Sequence, residues 1–167
     1  YRPDLRPGTR REAADVNDDL DRIMSIMEAA FDPVWGEAWT RRQVSDSLAF
    51  AHTHYRLLAT DGRTASESEE PCAGFTLVRA APGEEELLLV AVMPEHRGRG
   101  LGEKLVRHAI EDARTRNAER LFLETRHNNP AIGLYRKLGF QPIGVRKDYY
   151  RGSDSKKLDA ITFAYKI

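Results

Sequence analysis

The order of hydrophobic segments along the chain predicts an α/β fold, a mixed sheet carrying helices on both faces. Residues 87–93, L-L-L-V-A-V-M, form an unbroken apolar run stopped by Pro94, the mark of a strand buried on both sides. From Glu103 onward the apolar residues Leu105, Val106, Ala109 and Ile110 recur at helical spacing. A strand (120–125), a helix (130–138) and two closing strands (140–147 and 159–166) follow, so strand and helix alternate through the centre and strands end the chain.

The elements before this run are read in the same way. Leu5 and Arg6 suit a short first strand, and the acidic residues from Asp15 to Asp18 offer caps for a helix carrying Ile23, Ile26, Met27 and Phe31. Residues 32–39 read as a loop. Thr40 can cap a second helix with Val44 and Leu48 on its apolar side, and residues 55–59 read as a strand. The segment 61–71, D-G-R-T-A-S-E-S-E-E-P, is polar and is expected to be a mobile hairpin loop that joins strands, not domains. Residues 73–78 and 86–93 are the next strands, and the long helix is expected over 98–117. There is no internal repeat, and 167 residues are most simply one domain, 1–167, long enough to bury a core.

Composition narrows the function. Lys plus Arg and Asp plus Glu number 26 each, so no global field points to direct contact with nucleic acid or with a membrane surface. The single Cys72 cannot form an internal disulfide, the longest apolar run is too short to span a bilayer, and the opening Y-R-P-D-L-R-P-G has no apolar signal core. A cytoplasmic setting is expected. The pair His52 and His54 lacks further Cys or His partners at ligand spacing, and no metal is expected.

The chemistry is concentrated where the apolar strand meets the long helix, in V-M-P-E-H-R-G-R-G-L-G (92–102). Gly98, Gly100 and Gly102 stand where the chain must turn, so backbone N–H groups can approach an anion closely and the first helical turn adds unpaired donors and a positive dipole end. Arg97 and Arg99 add charge. A Walker loop and a dinucleotide fingerprint both require glycine where Glu103 stands, and an RNA-binding R-G-R-G tract would be repeated and unframed by periodic segments.

What remains is R-x-x-G-x-G at Arg97, Gly100 and Gly102, which resembles the acetyl-CoA motif of the GNAT superfamily of N-acetyltransferases. Residues 120–140, R-L-F-L-E-T-R-H-N-N-P-A-I-G-L-Y-R-K-L-G-F, are similar to that family's second block, and the L-E strand end, the L-Y pair and R-K-D-Y-Y at 146–150 resemble its ribosomal-protein alanine N-acetyltransferase branch. The likeness is strong over 87–150 and weak before residue 60. It implies a central, mostly antiparallel mixed sheet in which the strands holding Val92 and Glu124 splay apart, with the pantetheine arm in the gap.

The resemblance implies acetyl-CoA as co-substrate, held by Val90, Ala91, Val92, Arg97, Gly98, Arg99, Gly100, Leu101, Gly102 and Asn128. Only Arg126 and His127 separate Thr125 from Asn128, one residue fewer than the branch usually has, so Asn129 is an alternative to Asn128. Glu124, opposite in parity to Leu121 and Leu123, is the expected general base; as a bare strand-end carboxylate it could equally pair with Arg126 or Arg136. Tyr135 is the expected acid for the departing thiolate, since a thiol near pKa ~8.5 and a phenol near ~10 can share a proton; on pattern alone it could be a core aromatic. Trp39, Tyr149 and Tyr150 are candidates for an acceptor groove or for covering the core edge.

The acceptor expected is the N-terminal α-amine of a protein, a ribosomal protein by resemblance. Presenting a neutral α-amine (pKa about 7.7–8.0) at pH 7.4 costs roughly 0.5–1 kcal/mol, against about 4 for lysine (pKa about 10.4), and one carboxylate suits the smaller cost. Lysine or small-amine acetylation, and a non-catalytic acyl-CoA-binding module, are the alternatives.

Overall fold

The computed structural model describes the backbone of residues 9–167 and the side chains from Asp18 onward. The strand expected at Leu5 and Arg6 lies outside the described residues. The first helix, α1 (Thr9–Ala30), runs unbroken past Asp15 and Asp18, which therefore do not cap it. The preceding T-R-R-E-A-A is rich in good helix formers, and propensity carries the helix back through the expected start. Leu20, Ile23, Met24 and Met27 form one apolar stripe, and all are buried.

A short 3₁₀ turn (Pro33–Trp35) interrupts the expected loop, and α2 (Arg41–Leu48) starts at Thr40 with a reciprocal capping box. The Gln43 N–H donates to Thr40 Oγ1 at 3.2 Å and the Thr40 N–H donates to Gln43 Oε1 at 2.8 Å. The strands are β1 (Thr53–Ala59), β2 (Cys72–Ala81), β3 (Glu84–Val92), β4 (Arg120–Arg126), β5 (Gln141–Arg151) and β6 (Lys157–Lys166). They form a six-stranded sheet in the order β1-β2-β3-β4-β6-β5. Among the described residues only β3 and β4 run parallel, so the sheet is mixed and mostly antiparallel, as expected.

The sheet is covered on both faces. Helices α1 and α2 pack on Leu57, Phe75, Leu77, Leu89 and Ala91. On the other face, α3 (Leu101–Thr115) and α4 (Ile132–Leu138) pack on Val78, Leu87, Leu121, Leu123 and Phe163. Burial on two sides is why 87–93 carries no polar alternation. Gly74 on β2 admits the helix: a Cβ there would sit 2.8 Å from the Ala91 carbonyl and 2.9 Å from Leu105 Cδ1.

Two irregularities in β3 shape the centre of the molecule. The register against β2 passes from Leu77↔Leu89 to Val78↔Leu87, so Leu88 is a bulge and Leu87 and Leu89 face opposite sides. Pairing with β4 stops after Glu86↔Phe122, so the two strands part and the edge of β3 from residue 87 to 92 has no strand partner there. The splay expected between the Val92 and Glu124 strands is present.

Below the splay, Glu85 is 1% exposed and Arg116 bonds it with both arms, Nε at 2.6 Å and Nη2 at 2.8 Å. The segment expected to be mobile, 61–71, is internally bonded: Asp61 accepts from the Arg63 N–H at 2.9 Å and the Ser68 hydroxyl at 2.7 Å, and the Thr60 N–H donates to the Pro71 carbonyl at 2.9 Å. These bonds hold the Asp61 carboxyl below its usual range.

Candidate active site

Where β3 and β4 part, the surface opens into two adjoining cavities of about 690 Å³ and about 400 Å³. Phe31, Glu37, Val90, Asn129 and Tyr135 line both, so the cavities meet at the splay.

The larger cavity is built by the glycine-rich turn. Gly98 and Gly100 both adopt φ +78°, a left-handed conformation that costs an L-residue about 1–2 kcal/mol. That turn delays α3 to Leu101, three residues after its expected start. Gly100 caps α3 without a side-chain bond, leaving the first-turn N–H groups and the positive dipole end open to an anion. A Cβ added at Gly98 or Gly100 would meet no protein atom within 4 Å, so the space above both is left for a ligand. Val90, Ala91, Val92, Leu101 and Gly102 line the same cavity.

Arg97 also lines it, but its guanidinium is engaged, donating from Nε to the Val92 carbonyl at 3.2 Å and from Nη2 to the Ala30 carbonyl at 2.9 Å. It therefore braces the end of α1 against β3 beside the turn. Arg99 lies outside the cavity lining, its Nη1 3.5 Å from His96 Nδ1. Asn128 also lies outside, exposed, its Oδ1 accepting from Arg126 Nη1 at 2.7 Å. Asn129 is the asparagine that lines both cavities. Its amide donates to Thr125 Oγ1 at 2.8 Å and its Oδ1 accepts from the Ala131 N–H at 2.9 Å, which shapes the turn into α4.

The smaller cavity holds Glu124, Trp39, Tyr149 and Tyr150 together. Strand β4 alternates strictly between buried and half-buried residues, so Glu124 faces away from the Leu121 and Leu123 side, as its parity predicts. Its Oε2 accepts from Arg146 Nε at 3.1 Å and Thr162 Oγ1 at 3.4 Å. The ion-pair partner is thus Arg146, not Arg126 or Arg136. Tyr149 and Tyr150 stand edge to face with centroids 5.2 Å apart, and burial, with the nearby Glu37 and Glu124 carboxylates, pushes the Tyr150 phenol up to about 12.

Tyr135 is 4% exposed among Phe140 and Phe163, yet it lines both cavities. Burial first, and then the Glu37 charge, push its phenol well above the usual range, so the hydroxyl keeps its proton at any working pH. Sequence reading missed Phe31 and Glu37, which line both cavities, and Trp35 and Arg126, which line the larger one. Arg126 pairs with Glu37 at 2.7 Å and lies 4.4 Å over the Trp35 ring. Among the described residues no group of three or more His, Cys, Asp or Glu is gathered as metal ligands, and no helix is long and apolar enough to cross a membrane.

The parted parallel strand pair thus has an open helix N-terminus at one end and a carboxylate with tyrosines at the other, with room along it for two molecules end to end. The chain belongs to the acetyltransferase (GNAT) family, whose model matches residues 20–140. It is 33% identical over 134 residues, 80% of this chain and 82% of the relative, to a candidate ribosomal protein bS18-alanine N-acetyltransferase of Bacillus subtilis. It is 40% identical over 101 residues, 58% of this chain and 53% of the relative, to the streptothricin acetyltransferase of Streptomyces lavendulae. The crystal structure of the ribosomal-protein-S18-alanine N-acetyltransferase from Escherichia coli superposes with a TM-score of 0.75 at 27% identity, over 90% of this chain and 88% of that one.

The open turn and helix end present N–H groups of the kind that bind phosphate, and the edge of β3 without a strand partner carries backbone N–H and C=O groups. Gly100→Ala is expected to weaken acetyl-CoA binding by about tenfold, since the side chain forces a turn at φ +78° out of shape at a cost of about 1–2 kcal/mol. Calorimetric titration with acetyl-CoA checks it.

Proposed function

We propose that this protein transfers acetyl from acetyl-CoA to the N-terminal α-amine of a protein in the cytoplasm, a small-subunit ribosomal protein, with Glu124 as base and Tyr135 as acid. The observation that carries this reading is the meeting of the two cavities at Tyr135, with Glu124 lining the acceptor side. Acetyl-CoA supplies an acyl group on a thioester, an acceptor for an amine lone pair.

Glu124 takes a proton from the acceptor ammonium, directly or through water, and releases it to solvent, so that the neutral nitrogen can attack the acetyl carbon. The second proton, shed as the amide forms, passes through water to restore Tyr135 once that residue has protonated the thiolate. The Tyr135 hydroxyl gives its proton to the sulfur as the carbon–sulfur bond breaks; its raised phenol range keeps it protonated beforehand, while making it a weaker acid than an exposed tyrosine. Free N–H groups on the edge of β3 would stabilise charge growing on the acetyl oxygen. Trp39, Tyr149 and Tyr150 shape the entry of the acceptor chain.

The likeness to a ribosomal-protein alanine acetyltransferase along most of both chains supports a protein α-amine. The higher identity to streptothricin acetyltransferase over a shorter stretch favours a second reading, a small-molecule amine acceptor. Thiol release from acetyl-CoA is measured with N-terminal peptides, lysine peptides with blocked N-termini, and small amines including streptothricin. Activity confined to free N-terminal peptides supports the α-amine. Turnover only with lysine or small amines keeps the enzyme class and overturns the acceptor.

A further inference from the structure

The loop of residues 32–39 joins α1 to α2 and lines both cavities, and its own bonds are confined to the short turn at Asp32–Gly36. Further bonds come from elsewhere in the chain. Glu37 accepts from Arg126 Nε at 2.7 Å, and the two side chains are only 16% and 13% exposed. The same guanidinium donates through Nη1 to Asn128 Oδ1 at 2.7 Å and lies over Trp35, its carbon 4.4 Å from the ring centroid. From the opposite side the tip of the β5–β6 hairpin touches the loop, with the Ser153 N–H donating to the Val34 carbonyl at 2.9 Å and Gly152 buried against Trp35. Arg126 thus ties the loop to the end of β4, two positions from Glu124.

We infer that Arg126 is a positioning residue, clasping Glu37 and Trp35 so that the loop stays closed over the junction of the cavities and the acceptor finds its docking surface already formed. The arrangement needs an arginine. A guanidinium bonds two oxygens in its plane while its face stacks on an indole, whereas an ammonium is a compact point charge that does only part of this. Holding the loop in advance spares the acceptor the cost of ordering it, so the clasp acts on acceptor affinity. Trp35 and Arg126 line the larger cavity together with Gly98 and Gly100, while Gly36, Glu37, Ala38 and Trp39 of the same loop line the smaller one, so the clasp holds the acceptor surface from the side of the larger cavity.

The inference rests on the proposed acceptor side of the site, and the molecule supplies a probe that does not depend on turnover. Both tryptophans of the chain, Trp35 and Trp39, lie in this loop, so intrinsic fluorescence reports on the loop alone. Arg126→Lys is expected to raise the acrylamide quenching constant by about twofold or more and the acceptor KM by about tenfold or more. The KM for acetyl-CoA should rise by clearly less than the acceptor KM, with unchanged far-UV circular dichroism.

Glu37→Gln, which keeps the side-chain shape and removes the charge, should move quenching and acceptor KM the same way by less, and it replaces the lysine variant if that variant does not fold. Unchanged quenching overturns the inference, and so does raised quenching with unchanged acceptor KM. Equal increases in the KM for acetyl-CoA and for acceptor overturn it as well. A wild-type protein inactive on every amine removes the proposed reaction, and the quenching comparison then decides the clasp alone.

Discussion

Glu124→Gln and Tyr135→Phe are each expected to cut turnover by at least about tenfold, a barrier increase of about 1.4 kcal/mol or more, while acetyl-CoA binding survives. Glutamine keeps the length of the side chain and an oxygen for Thr162 and Arg146, but it cannot carry away the amine proton. Phenylalanine keeps the ring among Phe140 and Phe163, so the fold is retained and only the proton donor is lost. Steady-state thiol release alongside calorimetric titration of acetyl-CoA separates the two effects. The pH profile adds a sign. Because burial raises the Tyr135 phenol, wild-type activity should climb as the acceptor amine loses its proton and show no decline from tyrosine ionisation up to about pH 10. Unchanged turnover in both variants would sink the acid–base assignment, whereas acetyl-CoA binding with no turnover in the wild type would leave an acyl-CoA-binding module.

The largest stability effect is expected at the other end of the parted strands. Arg116→Met should destabilise the fold by about 3 kcal/mol, the lower part of the range for removing one partner of a buried pair, because Arg116 is itself 29% exposed. It leaves the Glu85 carboxylate, 1% exposed, without its two guanidinium bonds in the interior. At this chain size a loss of about 3 kcal/mol lowers Tm by about 6–12 °C. Urea unfolding measures it, and the double variant Glu85→Leu/Arg116→Met is expected to recover most of the loss, since no unpaired charge is then buried. A single variant within about 0.5 kcal/mol of wild type would mean that water reaches Glu85 and solvates it.

The fold was legible because its signals are local. The apolar run at 87–93, the helical spacing from Leu105 to Ile110 and the Thr40 cap are each contained in a few consecutive residues, and each falls in or at the start of an element of the expected kind. The misplacements are also local in cause. The start of α1 was hidden because acidic residues suit caps and helix turns alike, and α3 was delayed by left-handed glycines that a periodicity reading counts as helix. Of the two asparagines only Asn129 lines the cavities, its amide ends bonded to Thr125 and Ala131, while Asn128 is exposed and bonded to Arg126, a difference that the spacing of the sequence does not record.

By itself the sequence determined the two-faced sheet, the glycine turn before α3, and the parity that turns Glu124 away from Leu121 and Leu123. These are consequences of side-chain period and backbone freedom, which act between near neighbours. Only the tertiary structure decided which charge meets which. Glu37 and Arg126 stand 89 positions apart, and the partner of Glu124 is Arg146 because the pairing of β4, β6 and β5 carries that arginine across the sheet. An ion pair needs only proximity, and no spacing along the chain records it. Proximity here follows from strand order and from the splay of β3 and β4, properties of the whole sheet and of no single segment.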